Sequence, residues 1–226
     1  MKIILFGASG MVGQGVLREC LAASDVDEVL VVVRSSLGIH HPRLREVVHQ
    51  DFFDYTRIEP ELLGYDACFF CLGVSAAGMD EARYTHLTYD LTLAAAGTLA
   101  RLNPAMTFVY VSGAGTDSSE QGRAMWARVK GRTENALRRL PFRAVYLFRP
   151  GFIEPAHGER SKTTMSRVVY AVTRPLVPVL RAVFPRHILS TVIIGQAMLS
   201  VVRHGAPVAV MECADILEAA KRAASA

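Results

Sequence analysis

Residues 125–133, MWARVKGRT, contain the side chains with the clearest potential for chemistry. If this stretch is helical, Trp126 lies one turn before Lys130 on the same face, so an aromatic ring and an ammonium are presented together. An indole N–H donates a hydrogen bond but does not exchange its proton near neutral pH. The pair is therefore a reaction centre, a cofactor clamp or ordinary helix surface, and the rest of the chain has to distinguish these interpretations.

A glycine-rich turn follows the first apolar segment. The run KIILF leads directly into GASGMVG, in which Gly7, Gly10 and Gly13 are spaced three residues apart before an apolar helix. Gly7 would permit the tight turn, Gly10 the close approach of a pyrophosphate, and Gly13 the packing of the helix on the strand. The helix N-terminus would offer N–H groups and a positive dipole to the phosphates. The turn predicts a dinucleotide-binding site.

The second apolar segment bears on which dinucleotide is bound. NAD sites usually carry Asp or Glu at the end of this strand to bind the ribose 2′-hydroxyl, whereas EVLVVV ends in Arg34, Ser35 and Ser36. A guanidinium binds a 2′-phosphate in a bidentate manner, and the hydroxyls can help. The sequence therefore favours NADP(H) over NAD(H), with NAD left as the second candidate.

The cysteines and histidines predict neither a redox site nor a metal site. Cys68 and Cys71 formally make a C-x-x-C, but they fall in a strand-like run, where positions three apart face opposite sides of the sheet. His40, His41 and His49 lack the spacing of metal ligands. Four reduced thiols are the preferred interpretation.

Strand-like and helix-like segments alternate along the chain, which indicates crossover connections and a parallel sheet. The strand-like segments are nearly all apolar, as expected where helices cover both faces. We therefore predict a Rossmann-like, doubly wound α/β fold in a single domain over 1–226, in which 151–226 contributes a small substrate-covering segment. The predicted strands are KIILF, EVLVVV, LREVV, ACFFCL, TFVYVS, RAVYLF and PVAVM, and the predicted helices span about 11–23, 81–102, 120–140 and 191–203, with a last one ending in KRAASA.

Composition and charge exclude several classes of protein. Hydrophobic residues make up 51% and charged residues 20% of the chain, which excludes a disordered protein. The apolar run before Gly7 is too short for a signal peptide, and no stretch reaches the roughly 20 apolar residues of a spanning helix. We predict a cytoplasmic protein that is not integral to a membrane. Nucleic-acid binding is disfavoured because no recognition motif accompanies the net charge of +4.

The positive charge is concentrated in 160–211, which holds seven Lys and Arg residues and no Asp or Glu. Such a stretch is a solvated face, or it attracts phosphates, an acidic substrate or a membrane surface. Pro175 and Pro178 interrupt an amphipathic helix, so peripheral membrane contact is the less favoured interpretation. We predict that 163–184 is a lid over the nicotinamide end of the site.

Several of these motifs resemble those of the short-chain dehydrogenase/reductase superfamily in its extended or atypical form. The shared motifs are GASGMVG, Asp51 after the third strand, CLG at 71–73, YVSGAG at 110–115, WARVK, and FRPG at 148–151. The run CLGV, the Tyr89–Asp90 region and the spacing from VKG to FRPG are similar to the Tat-interacting-protein-like branch of atypical members. The resemblance spans most of the chain.

The resemblance implies cofactor-binding roles for a defined set of residues. Lys130 matches the family's lysine, which holds the ribose hydroxyls. The other implied contacts are Gly7, Ser9, Gly10, Met11 and Val12 at the pyrophosphate, Arg34 with Ser35 at the adenosine phosphate, Asp51 with Phe52 at the adenine edge, Leu72 and Gly73 along the nicotinamide ribose, and Pro150, Phe152 and Ile153 at the nicotinamide carboxamide.

The chain departs from the family at the catalytic acid. The family's proton donor is a tyrosine four residues before the lysine, and here that position is Trp126. Ser112 ends its strand, whereas Gly113 and Ala114 occupy sites where relatives often carry the catalytic hydroxyl. Candidate replacement donors, none at a spacing that argues for it, are Tyr84, Tyr89, Tyr110 and Thr116.

Two functions follow from these features. The first is an epimerase-like oxidoreductase that moves hydride between NADPH and a small carbonyl or quinone-like substrate. In it Lys130 would orient the ribose, Ser112 or solvent would supply the proton, and Trp126 would form an apolar wall or a cation–π platform. The second is a non-catalytic protein that senses NADP or acts as a scaffold for a regulatory partner, which the loss of the tyrosine favours. A homodimer is left open.

Overall fold

The computed structural model describes residues 1–158 and 188–224. The lid predicted for 163–184, and most of the basic stretch 160–211, lie outside the described residues. The strands are β1 (Lys2–Phe6), β2 (Glu28–Val33), β3 (Leu44–Val48), β4 (Ala67–Phe70), β5 (Thr107–Val111), β6 (Ala144–Arg149), β7 (Phe152–Glu154), β8 (Ile188–Ser190) and β9 (Val210–Glu212). The α-helices are α1 (Met11–Ala22), α2 (Glu81–Thr85), α3 (Leu91–Leu102), α4 (Met125–Leu137), α5 (Thr191–His204) and α6 (Cys213–Ala224), with a 3₁₀ helix at Thr56–Leu62 and a π-helical turn at His86–Asp90.

The described strands form one seven-stranded sheet in the order β3-β2-β1-β4-β5-β6-β9, and every neighbouring pair in it is parallel. Strands β7 and β8 form a separate parallel pair. The strand order reverses direction between β1 and β4, which is the crevice where open α/β sheets bind ligands. The Rossmann-like doubly wound fold is confirmed.

Helices cover both faces of the sheet, and this explains why the strands are apolar on both sides. One core packs α1, α5 and α6 against the sheet, and the other packs the 3₁₀ helix, α3 and α4. Cys68 lies in the second core, whereas Cys71 packs against the first, so the prediction that the two thiols face opposite sides is confirmed. All four cysteines are free.

Helix α1 is crossed at close range by α5, a contact that the sequence pattern did not reveal. A Cβ on Gly15 would lie 2.4 Å from Cβ of Thr191, and one on Gly195 would lie 2.7 Å from Cγ of Glu19. Gln196 of α5 also donates a hydrogen bond to Glu19 at 3.1 Å. The helix that follows the glycine turn is thus supported by a segment far along the chain.

The helix predicted over 120–140 was wrong at its start, because α4 begins at Met125. Asp117 holds the preceding residues in a turn, since its carboxylate accepts hydrogen bonds from the backbone of Ser119 at 3.0 Å and of Gly122 at 2.6 Å. Glu120 has a φ of 62°, which interrupts helical geometry. The helix predicted over 81–102 is confirmed, with the π-helical turn in its middle.

None of the helices in the described ranges is both long and apolar enough to cross a membrane.

Candidate functional site

The glycine turn has the geometry that a closely approaching ligand requires. Gly7 has a φ of +81°, and a Cβ on it would lie 2.7 Å from the Cys71 backbone at the end of β4. A Cβ on Gly13 would lie 2.1 Å from the Gly7 carbonyl oxygen, so α1 packs directly on the turn. Gly10 N donates to Gly7 O at 2.9 Å, which closes the turn. Gly7 and Gly13 therefore have the structural roles predicted for them, and the role of Gly10 at a pyrophosphate stays a prediction.

The first turn of α1 is free of competing charge. Gly10 caps the helix without a side-chain hydrogen bond, and no acidic residue lies in the first turn. The flanking residues Ser9, Met11 and Val12 are partly exposed. Backbone N–H groups at such a helix start favour an anion, and the missing Cβ of Gly10 leaves space for its approach. This edge of the chain fits a pyrophosphate.

The end of β2 presents Arg34 and Ser35 to solvent. Among the described residues, no carboxylate forms an ion pair with Arg34. The Ser36 hydroxyl donates to Glu46 Oε2 at 2.6 Å, and Leu37 N donates to the other carboxylate oxygen at 3.1 Å. Glu46 is therefore engaged by the chain, and Arg34 is the charged side chain available beside the second strand.

The predicted adenine edge is divided between surface and core. Asp51 is exposed, and its carboxylate accepts a hydrogen bond from Phe53 N at 2.9 Å, which fixes the turn after β3. Phe52 is 5% exposed, and its ring packs edge-on against Phe6 with centroids 6.2 Å apart. The ring of Phe52 thus belongs to the core, and its backbone is the part left for a ligand.

Lys130 lies on α4 with its ammonium over the ring of Tyr110, 5.7 Å from the centroid. It is partly exposed, and within 1–158 and 188–224 no carboxylate forms an ion pair with it. Removal from water lowers the pKa of the Lys130 ammonium to about 8, while the nearby charge of Glu134 opposes this shift. A polar ligand that accepts hydrogen bonds from the ammonium would therefore stabilise this partly desolvated cation.

Trp126 lies one turn before Lys130 and covers the loop after β5. A Cβ on Gly115 would meet Cη2 of the indole at 3.5 Å, so the ring rests on this loop. Trp126 is partly exposed and leaves an apolar surface beside the ammonium. The indole ring of Trp126 therefore packs on the loop after β5 and also has a part that is exposed to solvent.

Ser112 does not direct its hydroxyl to the predicted site. The hydroxyl lies 2.6 Å from Glu134 Oε1, to which it donates, and 3.1 Å from the Phe148 carbonyl oxygen. Glu134 is fully buried, and Arg149 donates to it from Nε at 3.1 Å and also from Nη2. The hydroxyl of Ser112 thus contacts the buried ion pair of Glu134 and Arg149, and its proton-supplying role stays a prediction.

The candidate replacement donors are also engaged or buried. Thr116 donates to the Gly113 carbonyl oxygen at 2.7 Å. Tyr84 and Tyr110 are each 1% exposed, and burial raises the pKa of both hydroxyls. Tyr89 lies under the guanidinium of Arg132, 5.1 Å from its ring centroid. Each of these four side chains is thus either buried or in contact with a neighbouring group.

The carboxyl ends of four adjacent strands bring the remaining candidates together. Register pairs Phe6 with Phe70, Phe70 with Tyr110 and Val111 with Phe148, so the turns that follow β1, β4, β5 and β6 share one edge. That edge carries the glycine turn, the partly exposed Leu72 and exposed Gly73, Ser112, and the segment of Pro150, Phe152 and Ile153. Pro150 is buried, whereas Phe152 and Ile153 are partly exposed on β7.

Three residues of this region were not identified from the sequence. Glu134 and Arg149 form the ion pair beneath Ser112, and Gly131 allows α4 to approach the loop after β5. Two signals were present: an acidic residue one turn after Lys130, and an arginine at the end of the apolar run AVYLFR. A charge in such a run predicts a buried partner.

Comparison with known proteins supports the resemblance. No protein-family model matches the chain. The chain is 27% identical over 155 residues to protein HTATIP2 of Rattus norvegicus. The matched segment covers 67% of this chain and 62% of that protein. It is 29% identical over 161 residues to the mitochondrial protein FMP52-2 of Scheffersomyces stipitis, covering 70% of this chain and 67% of that protein.

Solved structures show the same fold. The Bordetella bronchiseptica enzyme WbmF, determined in complex with NAD⁺, superimposes with a TM-score of 0.69 and 16% identity over 99% of this chain and 77% of that one. A short-chain dehydrogenase/reductase from Saccharomyces cerevisiae gives a TM-score of 0.62 and 14% identity over 95% and 96% of the two chains. These comparisons support the resemblance to the short-chain dehydrogenases/reductases and show that the chain shares the fold of these two structures.

The matched segment spans less than two thirds of the length of HTATIP2. The FMP52 proteins are named as mitochondrial, so the cytoplasmic location remains a prediction.

Proposed function

We propose that this chain binds a nicotinamide dinucleotide along the carboxyl edge of β1, β4, β5 and β6, with NADP(H) preferred to NAD(H). The observation that carries the proposal is the glycine turn, where no side chain would fit at Gly7 or Gly13 and α1 begins without a competing acid. The NAD⁺ present in the WbmF structure supports the same placement by fold. Arg34 supports the preference for the 2′-phosphate.

The fit extends from the phosphate end to the nicotinamide end. Gly7, Ser9, Gly10, Met11 and Val12 would hold the pyrophosphate, and Lys130 the ribose hydroxyls. When bound, the nicotinamide would supply or accept a hydride, and the protein's contribution would be to orient the reactants and exclude water. Trp126 would form an apolar wall beside the reacting carbonyl or quinone-like substrate.

The second candidate is a protein that binds NADP without turnover and acts as a sensor or scaffold. It is favoured by the absence of a free acid, because Trp126 stands in the tyrosine position and the Ser112 and Thr116 hydroxyls are engaged by the protein. Both candidates share the cofactor site. They differ in whether hydride is transferred.

A fluorescence titration tests the shared site. Trp126 is the one tryptophan of the chain and lies one turn from Lys130, so bound NADPH should quench its emission and show sensitised nicotinamide fluorescence. Gly10→Ala, whose Cβ would lie 3.3 Å from Gly7 O, should fold and lose most of this signal because it obstructs the pyrophosphate. Gly97→Ala, in helix α3 with no atom within 4 Å of its Cβ, is the matched control. Equal signals for both variants would contradict the proposed site.

Turnover separates the two candidates. NADPH oxidation should be measured across a panel of small carbonyls and quinones with the parent chain and with Lys130→Ala. Turnover that falls with the alanine variant supports the oxidoreductase. Tight NADPH binding without turnover on the whole panel supports the sensor or scaffold.

A further inference from the structure

The buried cluster under the end of β5 joins four parts of the fold. Glu134 of α4 accepts hydrogen bonds from Ser112 and from Arg149, the last residue of β6. Arg149 also donates to Ser118 Oγ at 2.5 Å and to Glu212 Oε1 at 3.3 Å, at the end of β9. Removing one partner of this bidentate ion pair would leave the other charge buried and unpaired. Replacing either residue alone should therefore destabilise the fold.

The cluster lies between the two ligand-facing groups of the proposed site. Glu134 is one helical turn after Lys130, and residues four apart on a helix are neighbours on its surface. Arg149 directly precedes Pro150 and the segment expected at the nicotinamide carboxamide. The Gly151 N–H of that segment is held in turn by the Cys213 sulfur at 3.0 Å. A shift of the ion pair would therefore move both groups together.

We propose that the Glu134–Arg149 ion pair is a positioning device that fixes Lys130 against the segment following β6, with Glu134 supplying the negative charge that Lys130 otherwise lacks. The positioning of Lys130 is independent of the proposed function, and only the identity of the ligand that Lys130 faces rests on it. Ser112 then has a structural role, because its hydroxyl donates a hydrogen bond to the Glu134 carboxylate.

The electrostatic surroundings of Lys130 are simple. From its own helix it faces Glu134, and from β5 it faces the ring of Tyr110. Tyr84 is near enough to Tyr110 to affect its pKa, and burial raises the pKa of both phenols, so both stay neutral across the range where Lys130 titrates. Glu134 is thus the charge that keeps the pKa of Lys130 from falling further, and its loss should lower that pKa.

Competitive lysine acetylation at a series of pH values measures this effect without any cofactor. The chain has four lysines, and the exposed Lys2 serves as an internal reference for the partly exposed Lys130. Glu134→Gln keeps the shape of the side chain and removes its charge. Asp25→Asn is the matched control, because Asp25 also holds an arginine, Arg203, through two oxygens at 2.9 and 2.5 Å.

We expect the labelling midpoint of Lys130 to lie near 8 in the parent chain, to fall by roughly one pH unit in Glu134→Gln, and to stay unchanged in Asp25→Asn. An unchanged midpoint in a folded Glu134→Gln variant would overturn the proposal. If the midpoint falls in Glu134→Gln as expected but the parent chain does not bind NADPH, the proposed function is contradicted and the positioning role is not.

Arg149→Lys carries the test if Glu134→Gln does not fold. Lysine keeps the charge but loses the two-pronged contact with the carboxylate. We expect a labelling midpoint still near that of the parent together with NADPH affinity reduced about tenfold, because α4 is no longer held against the segment after β6. Unchanged NADPH affinity in this folded variant would refute the positioning role.

Discussion

Gly131 lies against the carbonyl group of Asp117 so closely that a Cβ on it would stand 1.7 Å from the carbonyl oxygen. This contact seats the helix carrying Trp126 and Lys130 on the loop after β5. The glycine in the VKG motif is thus required by close backbone approach and not by a left-handed conformation.

Gly131→Ala should therefore lower the free energy of unfolding by at least about 2 kcal/mol, because backbone must move to admit the methyl group. Gly97→Ala is the matched control, since Gly97 lies in helix α3 with no atom within 4 Å of its added Cβ. The control should gain about 0.5 to 1 kcal/mol from the lower entropy of the unfolded chain. Urea unfolding of both variants measures the difference, and similar stabilities would contradict the close contact.

Trp126→Tyr should create or raise carbonyl reductase activity by at least about tenfold, because it restores a phenolic acid one turn before Lys130. Trp126→Phe, which restores the aromatic ring without the hydroxyl, should not. The measurement is NADPH oxidation across the carbonyl panel, with NADPH binding followed by calorimetry. If the tyrosine variant binds NADPH and reduces no carbonyl faster than the phenylalanine variant, the indole serves packing or another ligand.

Arg34→Ala should weaken NADPH binding about ten- to a hundredfold and leave NADH binding nearly unchanged, because a charge-assisted contact with the 2′-phosphate is lost. Arg45→Ala is the comparison: this arginine on β3 is exposed and pairs with Glu28 and Glu61. Titrations at one ionic strength give the affinities. Equal NADPH and NADH affinities in the parent chain would refute the preference.

Lys130→Met should raise stability at neutral pH by on the order of 1 to 2 kcal/mol, because the folded protein holds a cation that is partly removed from water. The pKa of Lys130 is about 8 in the folded chain and lies at its ordinary, higher value when unfolded. Between these values the unfolded chain binds more protons, so parental stability should rise with pH.

The methionine variant should lack that rise, and its advantage should disappear toward about pH 10. Denaturant unfolding at several pH values measures both effects. A variant that is destabilised at neutral pH would show that Lys130 is a packing residue and not a cation kept for a ligand. Lys2→Met, at an exposed lysine, controls for the general loss of one charge.

Local features of the sequence were enough for the sheet and the glycine turn. Apolar runs with glycine between strand and helix specify those elements through short-range geometry, and the strand bounds followed within a few residues. The start of α4 could not be found this way, because Asp117 and Gly131 set it through a contact between distant positions.

The chemistry of Ser112 could not be predicted from its place after β5, since its hydroxyl is oriented by Glu134, 22 residues further along. The buried state of Phe52 has a similar origin, because Phe6 and Tyr55 surround its ring. The motif supplied the candidate residues, and the packing around them determined which of their side chains are held by the protein.

The close crossing of α1 and α5 has a consequence for the order of synthesis. Gly15 meets Thr191, and Gly195 meets Glu19, so these contacts of α1 form only after the ribosome has made α5. A nascent chain that ends after β6 would hold every glycine of the turn and most of the described strands, yet lack the contacts of α5 with α1. Productive ligand capture during translation should therefore begin late, and abruptly, once α5 leaves the exit tunnel.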